Sequence, residues 1–174
     1  MVKRTLNLAC GTDNWGTDRI DLYKTPITTK VWDVAKKGLP YKNETFGVIK
    51  AHSVFEHFRN PGFVSDECYR VLKKGGKLFV RVDYAGYLPM YLFKSHEHNE
   101  ILKKQYEHEG YGHKQGEDRH YFLFVESHFD ALFSKFKTRK YRYVSVGRNR
   151  IVNWILRILP FHLGAIHLEM EAIK

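Results

Sequence analysis

The chain has 174 residues and a formal net charge of +10, with 43% hydrophobic and 15% aromatic residues. This composition is typical of a folded globular protein and excludes an intrinsically disordered chain. No apolar run is long enough to span a membrane, and the N-terminus has no signal-peptide pattern. We therefore expect a single cytoplasmic domain over 1–174. The positive charge either favours anionic partners or forms a solvated lysine-rich surface.

The two cysteines, Cys10 and Cys68, are far apart in the sequence and match no metal-ligand spacing. We expect reduced, unpaired thiols, as in an intracellular protein. No neighbouring residue is suited to activate Cys10, so its predicted role is packing and not nucleophilic attack.

An apolar run over 6–11 ends in small residues and continues into a turn over 12–16. This pattern predicts a buried parallel strand that opens into a tight turn. Small residues in such a turn let backbone groups approach a ligand closely.

Two further strands are predicted over 19–23 and 29–34, and they carry Asp21 and Asp33. Parallel strands normally need a dozen or more connecting residues, and neither connection is long enough for a full crossover helix. We predict minimal loops in their place. One face at this edge of the sheet would then lack helical cover, which makes it a candidate for homodimer contact or for packing by the C-terminal helix.

The middle of the chain predicts a strand over 46–51 that delivers the segment 52–57 at its end. Apolar residues at a helical period predict a helix from about 62 to 74, closed by Gly75 and Gly76. A fifth strand over 77–82 leads to Asp83 and Tyr84.

The pattern weakens over 85–120, where histidines, tyrosines and glutamates predict a lid or substrate-binding segment. The remaining predictions are an extended segment at 120–124, a helix over 125–136, a strand over 140–146, a helix over 151–159 that Pro160 ends, and a strand over 167–173. This alternation predicts a doubly wound α/β sheet, which binds ligands outside the carboxyl ends of its strands. The helix over 151–159, with nearby arginines, is expected to pack on the core or on a second copy; a membrane surface or lipid-linked substrate is the alternative.

The order of the motifs resembles the class I SAM-dependent methyltransferases. The matching pieces are Leu-Asn-Leu-Ala-Cys-Gly, Ile-Asp-Leu, Trp-Asp-Val, Val-Phe-Glu-His and Arg-Val-Leu-Lys-Lys-Gly-Gly-Lys-Leu, over roughly residues 4 to 83. The resemblance implies a three-layer Rossmann-like sheet, mostly parallel with a C-terminal antiparallel strand, and S-adenosylmethionine (SAM) as the cofactor. The short spacing implies that crossover helices near the second strand are shortened or missing.

By this resemblance, the turn Ala9-Cys10-Gly11 offers backbone groups to the amino-acid part of SAM. His52 and Ser53 would lie beneath the methionine portion. Asn7 stands where the family usually has an acid, and Gly47 stands where an aspartate is common. These two departures motivate the alternative of a SAM-binding or assembly module without catalysis.

The resemblance also implies roles for the acidic strand ends. Asp21, with Leu22 beside it, would accept both ribose hydroxyls, because a carboxylate has two acceptor oxygens for a diol. Asp33 would accept the adenine amino group, and the Val34 N–H would face a ring nitrogen.

The catalytic residues remain open at this stage. An alcohol acceptor needs a general base, whereas an amine needs only to be deprotonated. Five histidines fall within 96–120, but none of the familiar metal-ligand spacings occurs, so no metal site is predicted. The candidate catalytic residues are His57, Asp83, Tyr84 and His120.

Three functions remain in view. The first is methyl transfer from SAM to a small-molecule or saccharide-like acceptor. The second is methylation of nucleic acid, which the positive charge motivates although no Asn/Asp-Pro-Pro-Tyr motif occurs. The third is the non-catalytic module.

Overall fold

A computed structural model describes residues 4–87, 120–145 and 160–174, together with Trp154, Ile155 and Ile158. The described residues form one seven-stranded sheet. Its strands are β1 (Thr5–Leu8), β2 (Asp18–Asp21), β3 (Lys30–Val31), β4 (Phe46–His52), β5 (Leu72–Asp83), β6 (Thr138–Val144) and β7 (His167–Ile173).

The strand order is β3-β2-β1-β4-β5-β7-β6. The first five strands in this order pair in parallel, and β7 runs antiparallel to both β5 and β6. This mostly parallel sheet with an antiparallel C-terminal strand confirms the predicted α/β class.

The connections beside β2 are as short as the sequence predicted. No helix lies between β1 and β2 or between β2 and β3, and every residue of both connections is described. The backbone N–H of Cys10 donates to Ile20 O at 3.0 Å, and that of Trp32 donates to Asp21 O at 2.8 Å. These bonds extend the sheet pairing past the strand ends, so the loops start from fixed positions.

Short helices cover the sheet. They are α1 (Val34–Lys37), α2 (Pro61–Val71) and α3 (Glu126–Leu132), with the 3-10 turns η1 (Phe55–His57) and η2 (Pro160–His162). The Asn60 side chain caps α2 by accepting the Phe63 N–H at 3.2 Å, and Pro61 occupies the first turn. The helix then buries Val64, Cys68 and Val71 against the sheet.

The prediction that Gly75 and Gly76 close the second helix is wrong. The helix ends at Val71, and both glycines lie inside β5, in a bulge where the register with β4 shifts between Phe46 and Val48. Gly75 has φ +70°, and a Cβ at Gly76 would lie 2.8 Å from Lys73 O. The Gly75 N–H lies 3.0 Å from Lys174 O, which ties the start of β5 to the C-terminus.

An aromatic cluster fills the core between the sheet and the helices. Phe55, Phe129 and Phe133 are fully buried. The ring centroid of Phe133 lies 5.1 Å from that of Phe55 and 5.4 Å from that of Phe129. The helix predicted over 125–136 ends at Leu132, yet Phe133 and Phe136 still point into the core. The sequence therefore predicted the buried positions of this segment more accurately than the residue at which its helix ends.

Two predicted segments fall largely outside the described residues. The lid segment is described only at 85–87 and at 120. Of the helix predicted over 151–159, Trp154, Ile155 and Ile158 are helical and exposed, so these three side chains do not pack into the core. Within the described part of the chain, no helix is long and apolar enough to cross a membrane.

Candidate functional site

A cavity of about 490 Å³ lies at the carboxyl ends of β1, β2 and β4 and extends to α1. This is the edge at which ligands bind in open α/β sheets, and the volume suits a small molecule. The predicted residues that line it are Ala9, Gly11, Asp21, Leu22, Asp33, Val34, Ser53 and His57.

Left-handed backbone conformations mark two neighbouring strand ends in this cavity. Ala9 has φ +54° and Gly11 has φ +50° after β1, and Ser53 has φ +49° after β4. Such angles are uncommon for residues other than glycine and cluster where a ligand turn requires them. A Cβ built at Gly11 would meet no heavy atom within 4 Å. The backbone there faces open space, which leaves room for a ligand to approach closely.

The Asp21 carboxylate is held by the backbone on both oxygens. Its Oδ2 accepts the Gly11 N–H at 2.8 Å, and its Oδ1 accepts the Tyr23 N–H at 2.9 Å. Each carboxylate oxygen has a second lone pair, so both can still accept from a diol. The same side chain therefore fixes the turn after β1 and presents acceptors to the cavity.

Asp33 lies beyond the third strand and not within it. Strand β3 ends at Val31, and Asp33 is the N-cap of α1, where its Oδ1 accepts the Lys36 N–H at 3.1 Å. The carboxylate lines the cavity together with Val34, the first helical residue. The backbone N–H of a first helical residue has no hydrogen-bond acceptor within its helix, so a ligand can serve as its acceptor.

Sequence reasoning missed three aromatic residues in the lining, Tyr23, Trp32 and Phe58. The Trp32 Nε1–H donates to Gly38 O at 2.8 Å, which holds the indole in place beside Asp33. For Trp32, the sequence signal that could have indicated a place in the lining is an aromatic residue next to an acidic one at a predicted strand end.

Asn7 and Cys10 do not line the cavity. Asn7 is buried, and its Nδ2 donates to Asp13 O at 3.0 Å, so it braces the 9–16 turn from behind. The Asp13 carboxylate in turn pairs with Lys50. Cys10 is also buried, which raises the pKa of its thiol, as expected for a packing residue.

His52 points away from the cavity. Side chains alternate along β4, with Ile49 and Ala51 buried on the helix-covered face and His52 on the other face. There His52 lines a second cleft of about 520 Å³ with Arg81 and Lys50. Burial, helped by these two cations, lowers the pKa of His52 to about 4. The strand period turns its side chain to the face opposite the cavity, whereas the resemblance implied a place beneath the methionine portion of SAM.

The chain is similar to known proteins at two levels, a family model and solved structures. A family model described as a methyltransferase domain matches residues 8–80, which contain all the cavity-lining residues named above. No curated protein matches the sequence.

Solved structures match nearly the whole chain. A SAM-dependent methyltransferase from Archaeoglobus fulgidus is 13% identical, with 99% of this chain and 86% of that chain covered and a TM-score of 0.65. A methyltransferase from Haloferax volcanii, solved in complex with the Trm112 methyltransferase activator, is 14% identical, with 98% and 82% covered and a TM-score of 0.64. A SAM-dependent methyltransferase from Thermotoga maritima, described as a possible histamine N-methyltransferase, is 16% identical, with 99% and 82% covered and a TM-score of 0.64.

The family model covers less than half of the chain, and solved structures at these identities show a shared fold: the chain has the fold of the class I SAM-dependent methyltransferases. The activity and the acceptor therefore depend on the chain's own residues.

The residues of the cavity fit SAM on two counts. Asp21 and Asp33 carry acceptor oxygens that would suit the ribose diol and the adenine amine, and the open space at Gly11 would admit the amino-acid portion. None of the described lining residues is lysine or arginine, so no side-chain cation opposes the positive sulfur of SAM.

The remaining catalytic candidates gather behind the cavity. His57 lines it, and the His57 and His120 rings meet edge to face with centroids 4.5 Å apart. Asp83 lies between two imidazoles, with His120 Nδ1 at 3.3 Å and His167 Nδ1 at 3.2 Å. Burial alone raises the pKa of Asp83, but these contacts outweigh it and hold that pKa well below its usual value. Tyr84 instead packs against Tyr143, with ring centroids 5.0 Å apart.

Proposed function

We propose that this protein is a methyltransferase that transfers a methyl group from SAM to a small-molecule or saccharide-like acceptor that enters beside His57. One observation carries the proposal: a single cavity joins the acceptors expected to hold SAM, on Asp21 and Asp33, to the imidazole of His57. Its volume of about 490 Å³ lies within the roughly 300–1,000 Å³ range of small-molecule sites.

The distribution of charge favours a small acceptor over a polynucleotide. A nucleic-acid site needs lysines or arginines that contact phosphates, and the described lining of the cavity contains neither. Cations do line the cleft on the opposite face, but there Arg81 and Arg142 each bind Glu169 at 2.7 Å. Their charges are partly satisfied within the protein.

The chain's own contribution to the reaction is positional. SAM, when bound, supplies a methyl group on a positively charged sulfur. Methyl transfer is an in-line displacement, so holding the acceptor in line supplies most of the rate. His57 is placed to accept a proton from an acceptor hydroxyl, and Phe58 offers an apolar wall beside it.

The experiment is to incubate the protein with SAM carrying a radiolabelled methyl group and a cell extract separated by molecular size. We expect label to accumulate in the small-molecule fraction and to fall at least about tenfold with His57→Ala. His128→Ala removes an exposed histidine away from the cavity and serves as the control.

The other two functions predict different outcomes. Label that enters a ribonuclease-sensitive fraction, with binding to RNA that weakens steeply with salt, would identify a nucleic-acid acceptor and contradict the proposal. SAM binding without transfer to any fraction would identify a non-catalytic module.

A second copy of the chain is the partner we propose for the sheet edge at β3. Val31 on this strand is 48% exposed, and Leu22 nearby is 37% exposed. Sedimentation equilibrium of wild type and Val31→Lys tests this contact; a monomeric wild type would contradict it.

A further inference from the structure

Glu56, His57 and His120 bring three metal-ligating groups together beside the cavity, which His57 lines. One ligand atom from each lies within 4.8 Å of the other two. We propose that these residues form a binding site for a divalent transition-metal ion, of the two-histidine, one-carboxylate type.

The backbone fixes the three ligands although they come from distant parts of the sequence. Glu56 and His57 are consecutive residues of η1. The Tyr121 N–H donates to Glu56 O at 2.7 Å, which places the preceding residue, His120, against η1. Arg59 strengthens this junction by donating from Nε to the Tyr121 hydroxyl at 2.8 Å.

An outer carboxylate orients one of the proposed ligands. Asp83 Oδ2 lies 3.3 Å from His120 Nδ1, so a proton on Nδ1 leaves the lone pair on Nε2 for a metal. The other oxygen of Asp83 lies 3.2 Å from His167 Nδ1, which fixes the carboxylate in turn. A carboxylate behind a ligating histidine is the usual second layer of protein metal sites.

The donor set suits a first-row transition metal. Two imidazoles and one carboxylate bind zinc or iron(II) at about 2.0–2.2 Å and leave coordination positions open. Ligand atoms on one such ion are roughly 3–4 Å apart, so the described spacing requires only a small inward movement of the side chains. Glu56 is fully buried, and a cation beside a buried carboxylate offsets the cost of removing its charge from water.

The open positions indicate the class of acceptor, an inference that rests on the proposed function. His57 lines the cavity, so an ion on it would face the acceptor. With the ion bound, His57 acts as a ligand in place of its role as proton acceptor, and an acceptor hydroxyl on the ion loses its proton to solvent more easily. The resulting oxygen then forms the new bond to the methyl carbon, while the carbon–sulfur bond breaks with its electron pair remaining on sulfur. The metal keeps its oxidation state throughout.

The test is titration of the purified, chelator-treated protein with Co²⁺, followed by its visible absorption. We expect one equivalent to saturate the spectrum and Zn²⁺ to displace it. His57→Ala and His120→Ala should each weaken Co²⁺ binding at least tenfold, as should Glu56→Gln, and Asp83→Asn should weaken it about tenfold. Circular dichroism checks that each variant is folded. If Glu56→Gln does not fold, the two histidine variants alone test the metal site.

Two controls locate the site. His128→Ala removes an exposed histidine, and the double variant His96→Ala/His98→Ala removes histidines of the segment between the two groups of ligands. Both should bind Co²⁺ as the wild type does. Absence of binding in the wild type, equal binding in His57→Ala and His120→Ala, or loss confined to the double variant would overturn the proposal.

A parallel titration with SAM separates the two proposals. SAM binding without Co²⁺ binding rejects the metal site alone. Co²⁺ binding without SAM binding rejects the proposed function and leaves the metal site in place.

Discussion

The backbone N–H of Gly11 donates to the Asp21 carboxylate at 2.8 Å, which ties the turn after β1 directly to the end of β2. No crossover helix separates the two strands, so this bond takes over part of the positioning that a helix would provide. Gly11 has φ +50°, and its missing Cβ leaves open space on the cavity side. The turn is thus held by the acidic residue that we expect to bind the ribose.

Gly11→Ala should weaken SAM binding, because its methyl group enters the cavity. Gly75→Ala is a matched control: the φ of Gly75 is +70°, a Cβ built there also meets nothing within 4 Å, and the residue lies in the bulge of β5, outside the cavity lining. Both variants should lose about 1 kcal/mol of unfolding free energy from backbone strain. Only Gly11→Ala should lose SAM affinity by calorimetry; equal affinity in both variants would argue against the turn as a ligand site.

Asp33 has two roles that different substitutions separate. Asp33→Ala removes the cap of α1 and should cost about 1 kcal/mol of unfolding free energy, measured in urea. Asp33→Ser keeps a capping oxygen and should retain most of that stability. Both variants should bind SAM more weakly if the carboxylate contacts the adenine amine; full affinity in Asp33→Ser would restrict Asp33 to capping.

Glu67 stabilises the loop after α1 and should make stability depend on pH. Its carboxylate accepts from Arg70 at 2.7 Å on each oxygen and from the Leu39 N–H at 2.7 Å. The bonds from Arg70 and Leu39 lower the pKa of Glu67 in the folded chain. The contribution of Glu67 to stability is therefore present above its unfolded pKa of about 4.5 and is lost as the pH falls through its folded pKa. Glu67→Gln should lose about 1–2 kcal/mol at pH 7 and much less at about pH 3.

Asp66→Asn is the control for this measurement. Asp66 pairs with Lys135 at 2.7 Å, but both side chains are more than half exposed. Its removal should change the unfolding free energy by less than about 0.5 kcal/mol at either pH. A Glu67→Gln effect that is small at pH 7, or that is the same at both values, would contradict the assignment.

His52 should make the protein less stable in mild acid. The pKa of His52 is about 4 in the folded chain and about 6.5 in an unfolded one. Between about pH 4 and pH 6.5 the unfolded state therefore binds more protons than the folded state. Stability therefore falls as the pH drops through that window, and His52→Gln should remove this part of the fall. An NMR titration that places the pKa of His52 near 6.5 would contradict the half-buried position of its side chain beside Arg81 and Lys50.

The sequence predicted the fold from its strand pattern and the SAM site from the order of its acidic strand ends. Asp21 ends β2 as the strand pattern predicted. The prediction failed at Gly75 because a glycine pair after a helix resembles a cap, whereas here the pair lies in a bulge of β5 whose Gly75 N–H donates to Lys174 O. The face on which His52 lies could not be predicted, because it depends on strand register.

The cluster behind the cavity was beyond sequence reasoning for a different reason. His120 is separated from Glu56 and His57 by more than 60 positions, and no spacing pattern links them. Tertiary contacts, among them that of the Tyr121 N–H with Glu56 O, bring the three residues together. Tertiary contacts of this kind carry no local signature in the sequence.

The most direct test of the central claim is calorimetric titration of the wild type and Asp21→Asn with SAM. Asp21→Asn nearly preserves the shape of the side chain but replaces one acceptor oxygen and the charge, so affinity should fall at least about tenfold. Asp66→Asn, which removes an exposed carboxylate, should bind SAM as the wild type does. Failure of the wild type to bind SAM, or equal affinity in Asp21→Asn, would contradict the assignment of this cavity as the SAM site.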